Sequence, residues 1–229
     1  MTHRRSAIVV RPVQSQQQLK EFRSVTAAYL EWLGEDLSFQ QIEAELASLP
    51  GSYAAEMRGA MLLAYAPCAD AAAASGAGEG LECVGAVALR PLAGHTPTVP
   101  ADGSVAGHPL ADVCEMKRLF VMPGHHGLGA GATLVRALLP AAVALGYRVM
   151  VLDTLERLEG ANRLYRRQGS SLLGFQPCER YNDCPLPGVL YFARQLDGLD
   201  AAAQSGSSGD DDGLGGAGKQ AGSSAAAPA

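Results

Sequence analysis

Residues 114–146 read CEMKRLFVMPGHHGLGAGATLVRALLPAAVALG, and this stretch decides the fold. Residues 115–122 have the apolar content of a strand, with Lys117 and Arg118 set between Met116 and Leu119. Pro123 and Gly124 end it. Gly127, Gly129 and Gly131 then alternate with Leu128 and Ala130. Glycine has no Cβ, so backbone N–H groups there can come close to a ligand. Leu134, Val135, Leu138, Leu139 and Val143 follow at helical spacing, and Gly146 supplies a stop. Pro140 removes one backbone hydrogen bond and predicts a kink near Arg136. The first turn of such a helix carries unpaired N–H donors and the positive end of its dipole, which favours a phosphate. A tight turn without a ligand is the plainer alternative. Residues 147–153, YRVMVLD, read as a second strand, most simply parallel to the first.

Working outward, the first strand is expected at residues 7–10, closed by Arg11-Pro12. Ser15 and Gln18 form a capping box for a helix with Leu19, Phe22, Val25, Tyr29, Trp32 and Leu33 on one stripe and Gly34 at its end. Ser38 and Gln41 repeat the box for a second helix, with Ile42, Leu46 and Leu49 inward and Pro50-Gly51 as its stop. Strands are expected at 60–66, 83–90 and 189–195, and a last helix at 158–168. The connections 67–82 and 92–112 are long, and loops of that length are functional or mobile. Residues 199–229 are of low complexity with almost no large apolar side chains, so a disordered tail is expected after a domain over 1–198.

The 229 residues suffice for one domain with a sizeable core, and the net charge of −5 gives no electrostatic reason to expect nucleic acid. No apolar run approaches the length of a membrane span, and the basic start lacks a signal-peptide core, so a cytoplasmic location is expected. Five cysteines without a C-x-x-C read as reduced thiols, although Cys178 and Cys184 are close enough in sequence to pair. His95 and His108 have no partners at ligand spacing, and adjacent His125 and His126 suit one ion poorly, so no metal is expected. Oligomeric state is not legible.

Three phosphate-binding patterns compete for the glycine turn. A P-loop ends in Gly-Lys-Ser/Thr, which is absent. The dinucleotide fingerprint G-x-G-x-x-G/A is met by Gly127, Gly129 and Ala132, with Asp153 closing the next strand, which keeps an NAD(P)-binding oxidoreductase in view. Against it, residues 123–126 separate the turn from its strand, and little chain follows to build a strand–helix series. The third pattern fits best. His126-Gly-Leu-Gly129-Ala-Gly131 resembles the Q/R-x-x-G-x-G/A signature of the GNAT acyl-CoA N-acyltransferases, with His126 where Arg or Gln is usual. LEGANRLYRRQ at 158–168 is similar to that family's N-x-x-A-x-x-L-Y-x-x-x-G-F motif at Ala161, Leu164 and Tyr165, with Gly169 or Gly174 and Phe175 at its end. Leu158 stands at the motif's Asn, and Asn162 lies one turn along as a substitute. DLSFQ, LPGSYA, MLLAY, CEMKRLFV and YNDCPLPGVLYF extend the resemblance over most of residues 7–196.

The resemblance implies an α/β GNAT fold: a mixed, mostly antiparallel sheet with helices on both faces, whose parallel strands splay beside the glycine turn. It implies acetyl-CoA as co-substrate, its pyrophosphate held by the backbone of His126, Gly127, Leu128, Gly129, Ala130, Gly131 and Ala132, with Asn162 as a further contact. It implies direct transfer of the acetyl group to an amine of a small molecule or peptide. An amine with a pKa of about 10.4 is mostly ammonium at neutral pH, so the reaction needs a base. Glu115, on the strand entering the turn, is the leading base, with a solvated carboxylate or a partner for Arg118 as an equal alternative. The resemblance implies an oxyanion site at the N–H groups of Phe120, Val121 and Met122, and Tyr165 as the acid that protonates the leaving thiolate. It also puts the first two helices in the acceptor wall, although plain core is the better expectation for Tyr29, Trp32 and Phe39 singly. Asp153, Thr154, Asn182 and Asp183 are weaker candidates for acceptor contacts. A CoA-binding sensor without chemistry is the other alternative.

Overall fold

The structure is a computed structural model and describes residues 8–68, 80–95, 103–166 and 173–199. Most of the connection expected at 67–82, part of that at 92–112, Gly169 and the tail after Leu199 lie outside those residues. The elements run β1 (Val9–Pro12), α1 (Gln16–Leu33), α2 (Ile42–Ser48), β2 (Ala60–Pro67), β3 (Leu81–Pro91), β4 (Ser104–Val105), β5 (His108–Pro109), β6 (Val113–Val121), α3 (Ala130–Ala144), β7 (Val149–Leu155), α4 (Glu159–Arg166), β8 (Gln176–Pro177) and β9 (Val189–Gln195).

The main sheet has the order β1-β2-β3-β6-β7-β9-β8, with every pair antiparallel except β6–β7. Both faces are covered, which explains why β2 and β3 read as nearly continuous apolar runs. Leu62, Ala64 and Ala66 of β2 pack with Leu134, Leu138 and Ala142 of α3. Met61, Leu63 and Tyr65, one step out of phase, pack with Phe22 and Val25 of α1. Gly85 in β3 is needed where it stands: a Cβ there would lie 2.7 Å from the Phe120 carbonyl oxygen.

The N-terminus of α1 closes as the sequence predicts, since the Ser15 hydroxyl accepts from Gln18 N–H and the Gln18 side chain accepts from Ser15 N–H. Ser15→Ala should therefore lower stability by about 1 kcal/mol, read as a shifted urea midpoint with an unchanged slope. The second box does not form. Residues Ser38–Gln40 make a 3-10 turn, α2 begins at Ile42, and Gln41 caps it in the left-handed region with no side-chain bond. Asp36 instead binds the Ser38 N–H, a shorter-range Asx contact that competes with the box. Short edge elements β4, β5 and β8 were hidden because two-residue strands carry no periodicity; the β4–β5 hairpin lies in the connection expected at 92–112, with Val105 buried. Pro140 sits inside α3, which continues through it to Ala144.

What positions the site is the β6–β7 pair. Pairing runs only from Val113↔Val149 to Glu115↔Val151, although β6 continues to Val121 and β7 to Leu155. Beyond Glu115 the strands separate. The same stretch of β6 is bulged against β3: Ala88 pairs with Lys117 and Ala86 with Phe120, so Arg118 and Leu119 together face Val87. Arg118 takes a left-handed φ of 59°, and a bulge of this kind re-aims a strand's side chains and strengthens its twist.

Candidate active site

The parted ends of β6 and β7 open into a cleft of about 890 Å³. One end is lined by the glycine turn and the start of α3, the middle by Leu119–Val121, Asp153, Thr154 and Tyr165, and the other end by Tyr29, Trp32, Leu33, Leu37, Cys184, Leu186 and Val189.

Gly127 and Gly129 have φ of 82° and 83°, a conformation in which an L side chain is strained. The first helical bond at this end runs from Thr133 N–H to the Gly129 carbonyl. Gly129 caps α3 without a side-chain bond, and none of the N–H groups from Gly127 to Ala132 has an acceptor among the described residues. Of these residues all but Leu128 line the cleft; Leu128 is an exposed apolar side chain. His126 folds its ring back, Nε2 donating to the Val121 carbonyl at 2.8 Å, and so ties the turn to the end of β6. His125 reaches Glu82 at 2.9 Å.

The three amides expected to hold an oxyanion do not face one way. Met122 N–H donates to the Val84 carbonyl, and the Phe120 carbonyl also points at β3, close to Gly85. Alternation along a strand then turns Val121 towards β7, on the parted side. Tyr165 of α4 packs its ring on Phe175 and Phe192 at 5.9 and 6.1 Å, and its hydroxyl has no partner among the described residues. Burial, then Tyr29 and Asp153, raise the phenol above its ordinary value, so it holds its proton at neutral pH.

Glu115 lies behind the cleft and does not line it. One carboxylate oxygen accepts from Arg90 Nε and Nη2 at 3.0 and 2.8 Å; the other accepts from Lys117 Nζ at 3.4 Å and the Tyr181 hydroxyl at 3.3 Å. Its partner is Arg90, not Arg118, which the bulge turns to Glu45 in a two-bond contact of 2.8 and 2.9 Å. Lys117 also donates to Asp153 at 3.1 Å, and Asn182 donates to the other Asp153 oxygen at 3.4 Å. Burial alone pushes the Asp153 carboxyl up, but the Lys117 charge and the bonds from Lys117 and Asn182 outweigh it and hold it below its usual range. Burial pulls the Lys117 ammonium down, but Asp153 and Glu115 more than reverse this. The sequence signal for Lys117 and Arg118 is the pair of adjacent cations inside an apolar strand.

Asn162 does not line this cleft. Its amide nitrogen donates to the carbonyls of Leu155 and Glu156, at 2.9 and 3.0 Å, and fixes the turn from β7 into α4. Leu158, at the motif's Asn position, lines the cleft. The expectation of plain core fails for Trp32, 47% exposed at the cleft mouth, and for Phe39, exposed outside it; Tyr29 lines the cleft. The pairing considered for Cys178 and Cys184 is not formed, as both are free thiols. Among the described residues no three His, Cys, Asp or Glu side chains are placed to share a metal ion, and no helix is long and apolar enough to cross a membrane.

The chain is similar to known proteins. The model of the acetyltransferase (GNAT) family matches residues 44–169. An uncharacterised N-acetyltransferase of Schizosaccharomyces pombe is 32% identical over 191 residues, covering 83% of this chain and 96% of that protein. Among solved structures, a GNAT-family acetyltransferase of Staphylococcus aureus superposes with a TM-score of 0.56 at 15% identity, over 83% of this chain and 99% of that one. A putative acetyltransferase of Salmonella typhimurium, solved with its cofactor acetyl-CoA, gives 0.53 at 15%, over 86% and 99%. By its family match and its fungal relative, this chain belongs to the GNAT acetyltransferase family and is an acyltransferase.

Proposed function

We propose that the protein is an acetyl-CoA-dependent N-acetyltransferase that acts on a primary amine of a small molecule or peptide by direct attack. The observation that carries this is the run of N–H groups from Gly127 to Ala132, unmatched by acceptors among the described residues, at the mouth of a cleft floored by parted strands. The donor set fits a diphosphate: consecutive amides, a helix N-terminus and no acid in the first turn.

Acetyl-CoA supplies the activated acetyl group. The backbone of residues 127–132 holds its diphosphate, and His126 holds the turn against Val121. Val121 N–H donates to the carbonyl oxygen on which negative charge develops. The nitrogen lone pair forms the new C–N bond as the C–S bond breaks. An ammonium acceptor loses two protons in all. One leaves through water to solvent, and the other reaches the departing sulfur from the Tyr165 hydroxyl, which is replenished from the nitrogen. Glu115 is the rear anchor of Lys117, so its part is to position Lys117 and Asp153 rather than to meet the acceptor.

Titration with acetyl-CoA and with NAD tests the assignment, and preferential binding of NAD overturns it. Tyr165→Phe should lower kcat by about 100-fold with little change in KM for acetyl-CoA, measured by thiol release. Its hydroxyl has no protein partner among the described residues, so stability should hold. A wild-type protein that binds acetyl-CoA but releases no thiol with any amine is a sensor instead.

A further inference from the structure

Resting on the acetyltransferase reading, we infer that the acceptor is a primary amine on a flat apolar body, its nitrogen seated at Asp153 and its body against Tyr29, Trp32 and Phe120. The charged side chains lining the cleft are Lys117, Arg118, Asp153, Arg157, Glu159 and Arg163. Arg118 is engaged twice by Glu45. Arg157 donates to Glu35 and to the Leu33 carbonyl, both at 2.7 Å. Glu159 and Arg163 pair with each other at the exposed rim. Lys117 is bracketed by Glu115 and Asp153. Asp153 differs from the rest. It is the one carboxylate inside the cleft among the lining residues, its side chain is 11% exposed, and each oxygen has a single side-chain donor among the described residues. A carboxylate has about four lone-pair positions, so room remains for an ammonium. A second cation on the acceptor finds no other carboxylate inside the cleft among the described residues, and an acceptor carboxylate finds Arg118 and Arg157 already engaged. This charge pattern favours an acceptor with one ammonium and no anion.

The wall beside Asp153 sets the rest of the molecule. Phe120 lies 5.5 Å from the Tyr29 ring and 5.6 Å from Trp32, tilted by 48° and 45°. Leu33, Leu37, Leu186 and Val189 continue the apolar lining. Trp32 at the mouth leaves half its surface in water, and a planar group laid on it removes apolar area and gains ring contacts. Asp153 acts on the ionisation of both Tyr29 and Tyr165, so wall, carboxylate and acid share one neighbourhood. The depressed carboxyl suits Asp153 as a seat for an ammonium, and makes it a poor sink for the proton, which leaves through water.

The test follows thiol release at saturating acetyl-CoA near neutral pH, with acetyl-CoA affinity measured separately by calorimetry. For the wild type, 2-phenylethylamine should exceed ethylamine, spermidine and glutamate in kcat/KM, by about tenfold or more over ethylamine. Trp32→Ala should erase most of that margin, lowering kcat/KM for 2-phenylethylamine about tenfold. Asp153→Asn keeps a polar partner for Lys117 and should lower kcat/KM for 2-phenylethylamine about 50-fold. It should change that for phenylhydrazine, which is neutral at this pH, by less than about threefold, because an uncharged nucleophile has no salt link to lose. Equal losses on both nucleophiles make Asp153 merely structural and overturn the inference. So does a preference for spermidine or glutamate, or acetyl-CoA binding without turnover of 2-phenylethylamine. Failure of the wild type to bind acetyl-CoA at all defeats the underlying function instead.

Discussion

Gly131→Asp should weaken acetyl-CoA binding by about 100-fold or more and leave the melting temperature unchanged or slightly raised. The two effects separate because the site and the fold use this position differently. A Cβ at Gly131 would stand 3.5 Å from Leu164 Cδ2 and 3.7 Å from Val121 Cγ2, ordinary contact distances. An acid in the first turn of α3 is favourable for the helix, by about 0.3–1 kcal/mol. The same carboxylate competes for the N–H groups that would hold the diphosphate and repels its charge. Hydrogen bonds to a charged group contribute about 1.5–3 kcal/mol each, so losing two accounts for the expected factor. Calorimetric titration and a thermal melt of the same sample read both quantities. Binding within about threefold of wild type removes the turn from the site.

Lys117→Met should cost about 3–5 kcal/mol of stability at neutral pH, the usual penalty for removing one partner of a buried ion pair. Lys117 is 8% exposed and bridges Glu115 and Asp153, which are 3% and 11% exposed. Methionine fills the space but leaves two carboxylates facing each other. The sign of the pH dependence follows from the shifts. Asp153 is depressed in the folded protein, so its contribution is present above the unfolded pKa and is lost as the pH falls through the folded value. Lys117 is raised, so its contribution is present below its unfolded pKa and fades only as the pH rises through its folded value. Both are complete at neutrality. In the variant, burial without the cation lets Asp153 take up a proton more readily, so the deficit should shrink on acidification. Urea unfolding at neutral and at acid pH measures this, and a loss under about 1 kcal/mol at neutrality would show that the pair adds little.

The glycine turn was legible because what marks it is backbone conformation. Gly127, Gly129 and Gly131 announce main-chain conformation and close approach directly, whatever surrounds them. The Ser15–Gln18 box was legible for a related reason, since its partners are three residues apart and need no tertiary context. Glu115 shows the opposite case. Its position on the strand was correct, but Arg90 and Tyr181 lie 25 and 66 residues away in sequence. Nothing local says that they close on one carboxylate. Val121 could not be separated from Phe120 and Met122, because a one-residue phase decides which N–H faces the parted side, and the bulge at Arg118 shifts that phase.

The sequence by itself determined the order of the main elements, the glycine turn between β6 and α3, and the family resemblance, all of which rest on neighbours within a few residues. Only the tertiary structure decided which charges meet, which strand face looks into the cleft and which aromatic rings line it. Those depend on sheet register and on contacts between distant segments, where a slip of one residue exchanges the buried side for the open one.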